Sequence, residues 1–240
     1  MWMICKKEWL QFFSSLTGYI ALVIFLLLTG LFLFVFPGTD LLMFGYASLS
    51  NFFSLAPWIL LFLIPTITMR SLADEYKSGT FELLKTLPVS SSQIVWGKYF
   101  GALLVVVLAL LPTIIYAISL QRLSAIGGID VGATIGSYIG LFLLGSVFTS
   151  IGICASSFTN NTVVAFIAGA FVCFLFYTGF EAISQLPFFR SGFDYYIEMM
   201  GINFHYHSIS RGVIDLRDIV YFAGIIVLFL LITQRNVTRR

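Results

Sequence analysis

The sequence predicts an all-α polytopic membrane protein with six transmembrane helices, an N-terminal interfacial amphipathic helix and a short cytoplasmic helix between the second and third spans. Three observations predict it. Apolar residues make up 59% of the 240 positions and charged residues only 10%, against roughly 25% charged in an average soluble domain. The apolar residues gather into six runs, near Tyr19–Phe36, Phe52–Met69, Tyr99–Leu120, Ala133–Ala155, Val163–Phe180 and Ile219–Thr233. A helix needs about 20 such residues to cross the hydrocarbon core, and only the last run, bounded by Asp215, Arg217 and Asp218, is clearly short of that. With both termini placed in the cytoplasm, Lys6, Lys7, Arg70, Lys77, Lys85, Lys98, Arg235, Arg239 and Arg240 lie inside and Arg122, Arg190, Arg211 and Arg217 outside. That bias follows the positive-inside rule, and removing the sixth span would put the C-terminal arginines outside. Backbone groups cannot stay unpaired in lipid, so the runs are read as helices, and no period-2 alternation suggests a barrel. Residues 1–240 form one transmembrane domain.

In residues 1–17, Trp2, Cys5, Trp9, Phe12, Phe13 and Leu16 fall within about 100° of helical arc, with Lys7, Glu8, Gln11 and Ser14 elsewhere. This reads as a helix in the cytoplasmic interface with tryptophans at headgroup depth; the plain alternative is an extension of the first span. Lys6 and Lys7 ahead of an apolar run also fit a secretory signal. However, Tyr19–Phe36 is 18 residues long, and Phe36-Pro37-Gly38-Thr39 offers no small-residue cleavage site. The run is a retained span, ended by Pro37-Gly38. Pro57, Pro65 and Pro112 should bend the second and third spans.

Residues 70–96 form a charged segment between two apolar ones. The second span should continue through Arg70 to about Tyr76, where Ser78-Gly79 breaks it. Thr80 can cap the next turn, Glu82 sits where the helix dipole favours an anion, and Phe81, Leu84 and Leu87 share one face. Pro88 stops this helix. Ser90 and Gln93 then form a capping box for the third span, with Val89 facing Ile94 as a staple. Phe81, Leu83 and Leu84 thus become apolar anchors on a charged protrusion, suited to docking a partner or to folding back on the membrane surface. Gly132, Gly136 and Gly140 give the fourth span a face that another helix can approach closely, within this chain or from a second subunit. The outer connection, 184–218, mixes Phe188, Phe189, Tyr195, Tyr196, Phe204 and Tyr206 with scattered charges, which suits short interfacial helices.

On Glu75, Gly79, Thr80, Glu82, Leu83, Leu84 and Pro88 the charged segment resembles the cytoplasmic coupling segment of type-2 ABC transporter permeases. The order of interface helix, six spans and large last outer loop extends the resemblance over most of the chain. The stretches 56–65, 136–140 and 211–218 look closest to the gliding-motility permease subunit of bacterial ABC complexes. The resemblance implies the membrane subunit of an ATP-driven exporter in the bacterial inner membrane. Its partners would be cytoplasmic ABC ATPase subunits and a second permease copy or homologous membrane subunit, with lipid around it and no nucleic acid. Glu75, Gly79, Thr80, Phe81, Glu82, Leu83, Leu84 and Pro88 would face the ATPase through a coupling helix. A non-transporting scaffold built on the same permease fold is the alternative.

Other chemistries fit less well. Gly97-Lys98 is followed by Tyr99 and lacks the glycines of a phosphate loop, so ATPase activity is expected on a partner and no cofactor is implied. None of the six runs contains an ionisable group, unlike most ion-coupled carriers. His205 and His207 lack a recognisable third ligand and read as surface or interface histidines. Cys5, Cys154 and Cys173 form no C-x-x-C pair and read as small buried or interfacial thiols. Asp74-Glu75 lies one turn after Arg70, which suggests a helix-surface ion pair. The sequons at Asn160 and Asn236 fall on the cytoplasmic side and are chance matches.

Overall fold

The computed structural model describes residues 1–36, 48–86, 88–124, 128–186, 194–212 and 215–240. The predicted stop at Pro37-Gly38, the place of Leu87 on its helix face, and Phe188 and Phe189 lie outside these. The described elements are helical: α1 (Trp2–Ser14), α2 (Leu16–Phe34), α3 (Ser50–Thr68), α4 (Arg70–Ser78), α5 (Thr80–Thr86), α6 (Ser91–Leu110), α7 (Ile114–Leu123), α8 (Val131–Phe158), α9 (Thr162–Phe174), α10 (Phe180–Ser184), α11 (Asp194–Glu198), α12 (Ile202–Ser210) and α13 (Leu216–Arg239).

Five segments are long and apolar enough to cross a membrane: Ser50–Ser78, Ser91–Leu123, Val131–Phe158, Thr162–Ser184 and Leu216–Arg239. The protein is therefore a multi-pass membrane protein. The bent pair Trp2–Ser14 and Gly18–Phe34, whose halves meet at 73°, brings the number to six if it is taken together as one span. Ser15 makes that corner by accepting from the Gly18 amide. A β-carbon on Gly18 would meet the Phe12 carbonyl oxygen at 2.5 Å, so only glycine fits there. The sixth run, the shortest in the sequence, becomes a 24-residue helix because α13 carries Arg235 and Arg239 within its last turns.

The prolines act unequally. α3 runs through Pro57, and its break comes at Met69, one turn after Pro65. Pro112 converts one turn of the third span to a 3-10 helix, Leu111–Thr113. The fifth span contains a π-helical turn, Leu175–Gly179, with no proline near it.

α8 is the central helix. Of its most apolar stretch 78% is buried, against 22% for each of the fifth and sixth spans, which leaves those two the most exposed faces. Lipid gives helices little hydrophobic reason to associate, so close backbone approach must do so. Gly145 meets Val106, Gly152 meets Thr68, and Gly169 meets Gly152 and Ala155. Gly136 packs on Ile209 and Gly212, and Gly140 on Tyr206 and Ile209, so these two of the three spaced glycines are used within the chain, against α12. Tyr206 then donates to the Phe53 carbonyl and Ser137 to the Ser210 carbonyl, which fixes α12 between the second and fourth spans.

Both chain termini lie at one end of the bundle. Met1 approaches Gly97 at the start of α6, and the Arg240 guanidinium lies 4.3 Å from the Tyr76 ring on α4. We call this the terminal end. The opposite end carries α11 and α12.

Candidate partner-docking site

At the terminal end the second span extends beyond its apolar part as α4. Its first free amides, Leu72 and Ala73, are capped from another helix: Ser156 of α8 accepts from both at 3.0 Å and donates to the Met69 carbonyl at 3.0 Å. Helix ends need such partners when buried. α4 ends as read from the sequence, with Gly79 in the left-handed region at φ 71°, where other residues are strained. α5 follows at once. Thr80 is its first residue and does not cap it; the Thr80 hydroxyl lies 2.9 Å from the Ser78 hydroxyl instead. The Ser90–Gln93 capping box forms as expected, and Val89 packs with Ile94 and Leu84.

The predicted docking residues divide into two groups. Phe81 and Leu84 are buried, at 5% and 8% exposure. Phe81 stacks edge-on against Tyr76, with ring centres 4.8 Å apart, and joins Leu72, Val95 and Tyr99 in a small core. Leu84 packs with Ile4 and Ile94. These two anchors therefore hold α5 to its own chain. Gly79, Thr80, Glu82 and Pro88 are exposed, and Leu83 is 68% exposed. A leucine so placed on a helix pinned from beneath is available to a partner.

Glu75 belongs to neither group. It is 5% exposed and faces inward, away from solvent. Its carboxylate lies 2.9 Å from the Lys98 ammonium and 2.8 Å from that of Lys7. Lys98, with no exposed side-chain surface, also reaches Glu8 at 2.7 Å and the Ser71 carbonyl at 2.6 Å. The expected surface pair exists only between Arg70 and Asp74, at 4.0 Å; the Asp74-Glu75 pair is split, because a fully buried lysine must be matched by carboxylates.

Two acids and two lysines thus join α1, α4 and α6 in one knot. The sequence reading missed Lys7, Glu8 and Lys98 as site residues. One signal was present, since Gly97 and Gly101 are four residues apart on α6. A β-carbon on Gly97 would meet Ile4 at 2.9 Å, and one on Gly101 would meet Glu8 at 2.7 Å. They admit α1 at van der Waals contact.

This contact corrects the expected orientation of α1. Ile4, Cys5 and Glu8 turn toward α6, so Glu8 from the supposed polar face is inside. Trp2, Met3 and Leu10 are exposed, at 73%, 86% and 56%. Trp9, Phe12 and Phe13 are half-buried and stack among themselves, with Trp9 and Phe13 at 4.8 Å and Phe12 and Phe13 at 5.3 Å. One asparagine in each sequon is structural: Asn161 caps α9, and Asn236 donates to the Ser157 carbonyl at 2.6 Å.

Among the described residues no group of three or more His, Cys, Asp or Glu side chains gathers as a metal site. A family model described as "ABC-2 family transporter protein" matches residues 2–187, which include the whole knot and α5. No curated protein matches the chain significantly.

Proposed function

The chain belongs to the ABC-2 family of transporter proteins, and on that premise we propose that it is the permease subunit of an ATP-driven exporter whose ATPase docks on α5. The family's domain is a non-catalytic membrane permease, so hydrolysis belongs to a separate subunit. The observation that carries the reading is the build of α5. Its outer edge presents Glu82 and the 68% exposed Leu83, while Phe81 and Leu84 bolt it to the bundle. A partner helix-groove contact needs a rigid, partly apolar tip of this kind.

The coupling path follows from the same contacts. A push on α5 reaches α4 through Phe81 and Tyr76. It then reaches α1 and α6 through Glu75, Lys98 and Glu8. Glu75, first read as an ATPase contact, is in this proposal the residue that passes movement inward. α1 lies in the membrane interface with Trp2, Met3 and Leu10 outward. The terminal end faces the cytoplasm of a bacterium, and a second permease copy or homologue pairs with this one. The stretches 56–65, 136–140 and 211–218 support a gliding-motility exporter within the family. Purification of the chain from its native membrane tests the reading. An ABC ATPase should accompany it, and the reconstituted complex should move substrate only with ATP. A complex that hydrolyses ATP yet moves nothing would favour a scaffold, and a chain without any ATPase would end the proposal.

A further inference from the structure

The far end holds a second buried acid–base pair that the docking reading does not use. His205 on α12 is 3% exposed and Asp218, in the first turn of α13, is 5% exposed. His205 Nδ1 lies 2.6 Å from Asp218 Oδ1, and His205 Nε2 lies 2.9 Å from the Met199 carbonyl oxygen. The ring is stacked on Tyr221 at 3.9 Å. Tyr221, one turn after Asp218, donates to the neighbouring Met200 carbonyl.

A neutral imidazole has one N–H, yet here both ring nitrogens face acceptors. The contacts are satisfied only when the His205–Asp218 pair holds one proton more than a neutral ring plus a carboxylate. That proton sits either on an imidazolium or on the acid. Asp218 Oδ2 is buried without a hydrogen-bond partner among the described residues, so His205 is the group that compensates this carboxylate.

What the pair holds shut is the turn between α11 and α12. Gly201 in that turn is pressed on the fifth span: a β-carbon there would meet Phe180 Cβ at 3.3 Å and the Glu198 carbonyl oxygen at 3.2 Å. Phe180 follows directly on the π-helical turn, an irregularity found frequently at functional sites. The same turn walls a polar cavity of about 490 Å³. Of the other titratable groups around α12, Tyr177, Glu181, Glu198, His207 and Arg211 line that cavity, Tyr195 lies against Phe204, Tyr206 donates to the Phe53 carbonyl, and Asp215 caps α13.

We propose that His205 and Asp218 form a proton-operated latch that closes the α11–α12 turn over the fifth span and its polar cavity. With the proton bound, both His205 nitrogens donate or are matched, and the turn is held. When it leaves as pH rises, His205 keeps its N–H toward the charged Asp218. Its Nε2 lone pair then opposes the Met199 carbonyl, and the turn is released. If the terminal end is cytoplasmic, as proposed above, the latch reads the pH of the far compartment.

The test uses the full chain in lipid nanodiscs with a single spin label at Met200→Cys, a position 59% exposed; the native cysteines are buried. The label should gain mobility in one transition as the pH is raised. Asp218→Asn lets an amide N–H serve a neutral ring, so Nε2–H stays on Met199. This variant should fold, remain immobile and lose the transition. His207→Gln should keep it. No transition in the parent chain, an unchanged transition in Asp218→Asn, or its loss in His207→Gln would each overturn the latch.

Discussion

At the scale of single residues, Lys98 decides the most. It is a fully buried ammonium held by two carboxylates and a carbonyl. Removing one member of a buried ionic group leaves the others uncompensated, at a cost of about 3–5 kcal/mol. We predict that Lys98→Met lowers stability by that order in detergent unfolding. Lys7→Met should cost less than about 1 kcal/mol, because Lys7 is 47% exposed and water screens its share. Equal losses in the two variants would contradict the knot. Replacing Lys98, Glu8 and Glu75 together by apolar residues should recover much of the stability and, in our reading, lose coupling. Gly152 offers a second residue-scale check. A β-carbon there would meet the Thr68 hydroxyl at 2.0 Å, so Gly152→Ala should destabilise by about 1–3 kcal/mol, with part restored by Thr68→Ala. Local chemistry was legible at this scale: the Ser90–Gln93 box and the helix break at Ser78-Gly79 depend on neighbours in sequence, and both formed, the break with Gly79 left-handed. The partner of Glu75 was not, since Lys98 lies 23 positions away in the chain and on another helix.

At the scale of elements, hydrophobic runs located every span, while the faces of the two short helices turned on tertiary contacts. α5 was read with Phe81, Leu83 and Leu84 as anchors toward a partner, and the structure turns the first and third inward. α1 was read with Glu8 on its wet side, and Lys98 draws it inside. Amphipathic periodicity says which residues share a face; it does not say which neighbour claims that face. The prediction that follows separates the two leucines. Leu84→Asp buries a carboxylate against Ile4 and Ile94 and should destabilise the terminal end by several kcal/mol, seen as lower yield and earlier unfolding. Leu83→Asp should leave yield and unfolding within about 0.5 kcal/mol of the parent, as surface changes do. Ser156→Ala, which strips the cap from Leu72 and Ala73, should cost about 1–2 kcal/mol although it lies on a different helix.

At the scale of the whole molecule, five long apolar segments and the bent α1–α2 pair lie in a bundle with both termini at one end. A face for the second permease proposed above was not legible, because two of the three spaced glycines that suggested it, Gly136 and Gly140, are spent on α12. The fifth and sixth spans, the least buried, remain open for that contact. We predict that an impermeant thiol reagent applied from outside labels cysteines near Asp130 and Asp194 and not near Ser78 or Arg240. Outside labelling at Ser78 would place α5 away from any cytoplasmic ATPase. The central claim is that the exposed edge of α5 captures that ATPase, and capture itself tests it most directly. With Glu82→Lys and Leu83→Asp expressed at parental level in the membrane, pull-down of the ATPase should fall about tenfold or more, a loss of at least ~1.4 kcal/mol. Undiminished capture by the doubly substituted chain would contradict the account.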